Sequence, residues 1–252
     1  MTTADALPPE LVAALRQARY VVALTGAGVS AESGIPTFRD ARTGLWARYN
    51  PEELATPEAF RRNPRLVWEW YAWRRQLVSA AAPNPGHLAL ARLERLAPRF
   101  TLITQNVDGL HQRAGSASVI ELHGNLLRVR CSRDGTVYTT WPEVADPPPP
   151  CPACGAPLRP DVVWFGEMLP PEALEQAWRA ATTCDLFLSI GTSGLVEPAA
   201  SLPRAAYASG ATVAVINLDV TSAVEERRMY VHARSGELLP ALVSAAFPDA
   251  DA

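Results

Sequence analysis

Five short apolar runs punctuate the chain: Tyr20–Leu24, Phe100–Ile103, Val119–Leu122, Leu186–Ile190 and Val213–Ile216. Each is continuous rather than alternating, and rich in β-branched or large aliphatic residues. Runs of this kind predict strands buried on both faces, as in a parallel sheet covered by helices. Between them lie stretches with helical spacing: Pro9–Ala18, His87–Leu96, Val107–Ala114, Pro171–Ala181, Pro198–Ala208 and Glu237–Ala246. The alternation predicts a doubly wound α/β fold, a Rossmann-like parallel sheet flanked by helices.

Two segments break the alternation. Residues 39–84 form an aromatic-rich helical excursion; residues 124–166 hold short strand-like pieces, Pro147–Pro150 and three of the four cysteines. They predict a smaller domain built from two insertions, 39–84 and 124–166, the second resembling a zinc ribbon. Residues 1–38, 85–123 and 167–252 then make a large Rossmann-like nucleotide-binding domain.

Composition narrows the function classes. A hydrophobic fraction of 48% in 252 residues supplies a real core, and a net charge of −3 gives no electrostatic footprint for nucleic acid. No run of 18 apolar residues is present. The opening "MTTADALPPE" lacks the regions of a signal peptide, and four cysteines do not make a disulfide scaffold. The expectation is a reduced, cytoplasmic, monomeric protein with no membrane or nucleic-acid partner.

The strand exits carry the chemistry. Gly26-Ala27-Gly28-Val29-Ser30-Ala31 fits the dinucleotide-binding pattern and follows the first strand. Gln105-Asn106-Val107-Asp108, Gly191-Thr192-Ser193-Gly194 and Asn217-Leu218-Asp219 follow three others. Ligands of open α/β sheets bind beyond the carboxyl ends of the strands, so four such exits predict a nucleotide cleft. The first motif does not continue as a dehydrogenase would. It runs into Gly34-Ile35-Pro36 and then Thr37-Phe38-Arg39-Asp40. A segment hinged by Gly34 and Pro36, with Phe38 as lid and Arg39 and Asp40 as polar anchors, suits chemistry that splits the nicotinamide–ribose bond and releases the base. A plain connecting loop is the alternative.

Taken in order, "GAGVSAESGIPTFRD" from Gly26, "TQNVDGLHQRAG" from Thr104, "ELHGNL" from Glu121, "DVVWFGE" from Asp161, "IGTSGLVEPAA" from Ile190 and "INLD" from Ile216 resemble the sirtuins, the NAD-dependent protein-lysine deacylases. The resemblance spans about Leu11 to Leu242 and is to the bacterial class III, desuccinylase- and demalonylase-like type. It implies NAD between a large and a small domain. Gly26, Ala27 and Gly28 would approach its pyrophosphate. Ala31, Phe38 and Arg39 would surround the nicotinamide ribose, with Trp46 also binding the cofactor. Gln105, Asn106, Val107 and Asp108 would line the ribose and nicotinamide pocket. Gly191, Thr192 and Ser193 would hold ribose or phosphate oxygens. Asn217, Leu218 and Asp219 would lie at the adenosine ribose, and Ser235 at the adenine. His123 would be the general base, with Asn106 also catalytic. The implied reaction is attack of the acyl-lysine oxygen on C1′ of the nicotinamide ribose, yielding nicotinamide, O-acyl-ADP-ribose and free lysine.

Within that resemblance, Tyr71 and Arg74 are placed at i and i+3 of one helix, where they would read the carboxylate of a succinyl or malonyl group. Val163, Phe165 and Gly166 would hold the substrate backbone of acylated proteins. The metal motif departs from the family. Cys151-Pro152-Ala153-Cys154 is intact, but the first pair reads Cys131-Ser132-Arg133-Asp134. A structural zinc on Cys131, Cys151 and Cys154 with Asp134 as fourth ligand, and a metal-free module, both remain open. Cys184 reads as a buried apolar residue. A mono-ADP-ribosyltransferase and a non-catalytic NAD or ADP-ribose sensor are the alternative functions on the same scaffold.

Overall fold

The computed structural model describes residues 7–36, 50–142 and 144–248. Phe38, Arg39 and Trp46, and the proposed lid they belong to, lie outside the described residues.

A seven-stranded sheet has the order β3-β2-β1-β7-β8-β10-β9, with β1 Val21–Thr25, β2 Phe100–Thr104, β3 Val119–Glu121, β7 Leu186–Ile190, β8 Thr212–Asn217, β9 Ala223–Glu225 and β10 Arg228–His232. All pairs are parallel except β9 with β10. The register sets Thr25 level with Thr104 and Ile190, and Ile190 level with Ile216. Four strands therefore end on one line. The order reverses between β1 and β7, and ligands settle at such a switch point.

The continuous apolar runs are explained by cover on both faces. Val21 and Ala23 pack with Leu11 and Leu15 of α1 (Pro9–Gln17), Leu90 and Leu93 of α6 (Pro85–Leu96) and Leu238–Val243 of α10 (Ser235–Ala246). Val22 and Leu24 face the other way, toward Ala177 and Ala180 of α8 (Pro171–Thr183) and Leu202 and Ala206 of α9 (Leu202–Ala208).

A third apolar cluster joins α3 (Pro51–Leu54), α4 (Pro57–Arg62) and α5 (Pro64–Ala80) to a three-stranded antiparallel sheet β5-β4-β6, with β4 Gly124–Cys131, β5 Val137–Tyr138 and β6 Leu158–Val162. Aromatic pairs bind the helices to the sheet: Trp68–Trp141 at 4.5 Å and Phe60–Trp164 at 5.3 Å between ring centroids. Pro9, Pro57, Pro64, Pro85 and Pro171 each open a helix, where the absent N–H costs nothing and the fixed φ fits. Thr56, Asn63 and Asn84 cap three of those starts. Among the described residues, no helix is long and apolar enough to cross a membrane.

Four elements differ from the sequence reading. The helix expected over Val107–Ala114 shrinks to α7 (Leu110–Arg113), because Gly109 takes φ 70° and the Asp108 carboxylate caps Leu110 N–H. The Gly-x-Gly motif enters a five-residue helix, α2 (Ala27–Ala31), which stops before Gly34 at φ 80°. The edge strand β9 and its neighbour β10 are absent from the sequence reading because "AVEERRMYVH" carries charges rather than an apolar run.

Candidate functional site at the strand exits

The cleft begins with three glycines. The N–H groups of Gly26 and Gly28 donate to Ile190 O at 3.0 Å and Gly191 O at 2.8 Å. A Cβ on Gly26 would lie 2.7 Å from Gly191 O, and one on Gly28 2.8 Å from Gly191 Cα. Gly191 itself has φ 58°, and its Cβ would meet Val29 N at 2.6 Å. The exits of β1 and β7 thus touch backbone to backbone, a contact only glycine permits. The motif serves this contact besides any phosphate.

The other exits are tied into the same network. Asn106 Nδ2 donates to Gly26 O and Ser30 Oγ, at 3.0 and 2.9 Å. Ser30 donates to the buried Asp108 carboxylate at 2.6 Å. Gln105 Nε2 reaches Thr192 Oγ1 at 3.1 Å, and Asn217 Nδ2 reaches Thr192 O at 2.8 Å. Gln105, Asn106, Asp108, Thr192 and Asn217 are therefore brought together. Leu218 and Asp219 lie in an exposed turn, and Ser235 sits apart, bonding the Glu32 carboxylate at the end of α2.

His123 follows β3. Its Nδ1 lies 3.0 Å from Gln105 O. A carbonyl only accepts, so Nδ1 carries the proton and Nε2 presents a lone pair. Burial lowers the imidazole pKa below 6.5, partly offset by the bond to Gln105. The ring is a neutral base at neutral pH.

Beneath the cleft lies a polar layer that the sequence reading missed. Thr25 Oγ1 donates to Thr104 Oγ1 at 2.8 Å and so accepts from His111 Nε2 at 2.9 Å. His87 is 4.8 Å away, ring to ring, and its Nδ1 accepts from Asn84 N–H at 3.4 Å. Burial holds His87 below its ordinary value and takes His111 to about 3. Asn84 also ties Val29 O and Ser33 Oγ, at 2.8 and 3.0 Å.

Tyr71 and Arg74, the residues predicted to read the acyl end, lie side by side on α5. Tyr71 is buried, and its hydroxyl accepts from Trp164 Nε1 at 3.0 Å. The half-buried Arg74 guanidinium lies 5.0 Å from the Trp70 ring centre and 5.6 Å from that of Tyr71. Burial lowers the Arg74 pKa, while Tyr71 and Asp108 favour its charge. The Tyr71 hydroxyl is pushed up to about 12 by burial and stays protonated.

The segment after β6 is pinned from both sides. Val163 N–H donates to His123 O at 2.9 Å, and Phe165 N–H to Ala55 O at 2.9 Å. Gly166 turns at φ 86°. Glu167 takes a fork from the buried Arg159, at 2.5 and 2.8 Å, and accepts Trp164 N–H at 2.9 Å.

The sulfurs of Cys131, Cys151 and Cys154 lie within 4.8 Å of one another, Cys131 and Cys154 at 3.5 Å. A tetrahedron with Zn–S of about 2.3 Å has edges of roughly 3.8 Å, so three sulfurs gathered this closely are compatible with a structural zinc. Asp134 is not within that group. Its carboxylate accepts Thr136 N–H at 2.9 Å and lies against the Cys131 thiol. Tyr138 Oη is 3.2 Å from Cys151 Sγ. Cys184 is buried and apolar in its packing, its thiol raised to about 12.

Comparison with known proteins decides the family. Residues 26–198 match the Sir2 family model. The chain belongs to the Sir2 family. It is 53% identical over 91% of its length to NAD-dependent protein deacylase 2 of Pyrobaculum aerophilum, covering 92% of that relative. It is 50% identical over 94% of its length to NAD-dependent protein deacylase 1 of Pseudomonas aeruginosa, covering 98% of that protein. Among solved structures it resembles a Sir2 homologue–NAD complex, with TM-score 0.88 and 48% identity, over 96% of this chain and 94% of the other.

Proposed function

We propose that this Sir2-family protein is an NAD-dependent protein-lysine deacylase that removes succinyl, malonyl and acetyl groups. The observation that carries the reading is His123, a neutral imidazole fixed by Gln105 O with its Nε2 lone pair left for a substrate hydroxyl. The relatives' names and the NAD-bound homologue support the cofactor.

NAD supplies the electrophilic ribose carbon and a leaving nicotinamide. Gly26, Ala27, Gly28, Thr192 and Asn217 would hold it at the level line of the strand exits. Asn106 and Asp108, each locked by Ser30, would present amide and carboxylate to the nicotinamide end. His123 would take a proton from a ribose hydroxyl. Large-domain segments 1–38, 85–123 and 167–252 and small-domain segments 39–84 and 124–166 belong to the same proposal, supported by their separate apolar clusters. So does work in a reducing compartment, where the three cysteines stay thiols.

For acyl choice, Tyr71 and Arg74 would clasp a terminal carboxylate. Tyr71 accepts from Trp164 and keeps its own proton to donate. The test is a panel of acetyl-, malonyl- and succinyl-lysine peptides with NAD, read by mass spectrometry. Nicotinamide and O-acyl-ADP-ribose should appear together; nicotinamide with ADP-ribosylated protein instead would favour the transferase. Arg74→Ala should lower kcat/KM on succinyl-lysine by about a hundredfold, as expected for a lost charge-assisted clasp, and on acetyl-lysine by much less. Equal losses on both would refute the acyl reading alone.

A further inference from the structure

His123 has a carboxylate two residues before it, Glu121, and an amide two residues after it, Asn125. Glu121 closes β3 of the large sheet, and Asn125 lies in β4 of the small one. Asn125 stands level with Asp161 of the neighbouring β6. The segment that carries His123 therefore runs between two acidic side chains, one on each sheet. Both are shielded from water, Glu121 being 14% and Asp161 10% exposed.

One guanidinium holds both. Arg128 Nη2 donates to Glu121 Oε2 at 2.7 Å, and its Nε donates to Asp161 Oδ2 at 2.9 Å. The register of β4 against β6 shifts between Asn125 and Val129, so Arg128 sits on a bulge. A bulge re-aims a side chain, and this one brings Arg128 to both carboxylates. Other donors complete the Glu121 end: Asn125 Nδ2 at 2.7 Å and Gln112 Nε2 of α7 at 2.8 Å. At the Asp161 end, the nearest further cation is Arg130, at 3.8 Å. The backbones also touch there, and a Cβ on Gly124 would lie 2.1 Å from Asp161 O.

Shielded ion pairs add little net stability, because desolvation offsets the attraction. What such a pair does fix is geometry. The geometry at stake is that of His123, whose ring presents Nε2 only while Nδ1 keeps its 3.0 Å bond to Gln105 O.

We propose that Arg128 is a positioning residue for His123. By tying Glu121 to Asp161 it fixes the backbone on both sides of the imidazole and aims Nε2 at the ribose hydroxyl. It takes no part in the chemistry itself and acts only through the base. The proposal rests on the deacylase reading and deepens it by naming what holds the base in place.

The test uses the full chain, NAD and one acyl-lysine peptide, and compares two steps. Attack on C1′ passes no proton to His123, so exchange of labelled nicotinamide into NAD reports that step without the base. Formation of O-acyl-ADP-ribose needs the base. Arg128→Gln should lower kcat for O-acyl-ADP-ribose by about tenfold, as a misplaced base does, and leave exchange within about twofold. Arg128→Lys keeps the charge without the two-way reach and should fall between. In a His123→Ala background, Arg128→Gln should cost about twofold at most, since residues that act as one unit do not add. The His123 ring signals in the proton NMR spectrum should move in Arg128→Gln, while those of His87 on α6 stay. Parallel loss of exchange and product in both variants would overturn the proposal. So would an undiminished loss in the His123→Ala background, or His123 signals that do not move. No nicotinamide from any acyl peptide with the unaltered chain, with the His123 signals still moved by Arg128→Gln, would sink the deacylase reading and spare the positioning role.

Discussion

At the scale of single residues, burial sets the chemistry of the histidines. His123 is held below pH 6.5 by desolvation, so its base form persists through neutrality. The acid limb of kcat/KM should therefore fall below pH 6.5, and His123→Ala should lower turnover by about a hundredfold or more. A limb centred above pH 7 would contradict the assignment. His111 makes a different prediction. With a folded pKa near 3 against about 6.5 unfolded, the unfolded chain binds more protons between those values. Its contribution to stability is complete above pH 6.5 and is lost as pH falls. At pH 5 the loss is about 2 kcal/mol. Urea midpoints at pH 7 and pH 5 should show it, and His111→Gln should flatten the difference. His123 could be placed at a strand exit from the apolar run before it, while its role as base came from the motif resemblance and not from its neighbours alone. His87 and His111 were not legible, since two histidines far apart in sequence show no partner until α6 and α7 are packed.

At the scale of elements, the cleft depends on how closely two strand exits approach. Gly191→Ala would need a Cβ 2.6 Å from Val29 N at φ 58°, and should cost about 3 kcal/mol while weakening NAD binding. Calorimetry of the apo-protein and NAD titration check both effects; an unchanged midpoint would mean the loops can part freely. The exits themselves were legible, because small and amide residues directly follow apolar runs. The shortened helix at Val107 was not. Its end is decided by a side-chain cap from Asp108 and a left-handed Gly109, and helical periodicity does not register such local geometry.

At the scale of the whole molecule, the two sheets and their three apolar clusters follow from the interrupted alternation of strands and helices. The cysteine trio was legible from spacing, whereas Asp134's engagement with Thr136 N–H appears only in three dimensions. Metal analysis should find about one zinc per chain, and a chelator should lower the thermal midpoint by more than about 5 °C. Absence of zinc with no chelator effect would leave packing alone to hold the three-stranded sheet.

His123 stands between the two sheets. β3 of the large sheet ends two residues before it, and β4 of the small one begins directly after it, at Gly124 with φ 80°. Its carbonyl is bonded to Val163, next to β6. The imidazole therefore rides on the joint. A displacement of the small sheet would therefore be passed to His123 from two directions, through Gly124 and through the Val163 bond to its carbonyl.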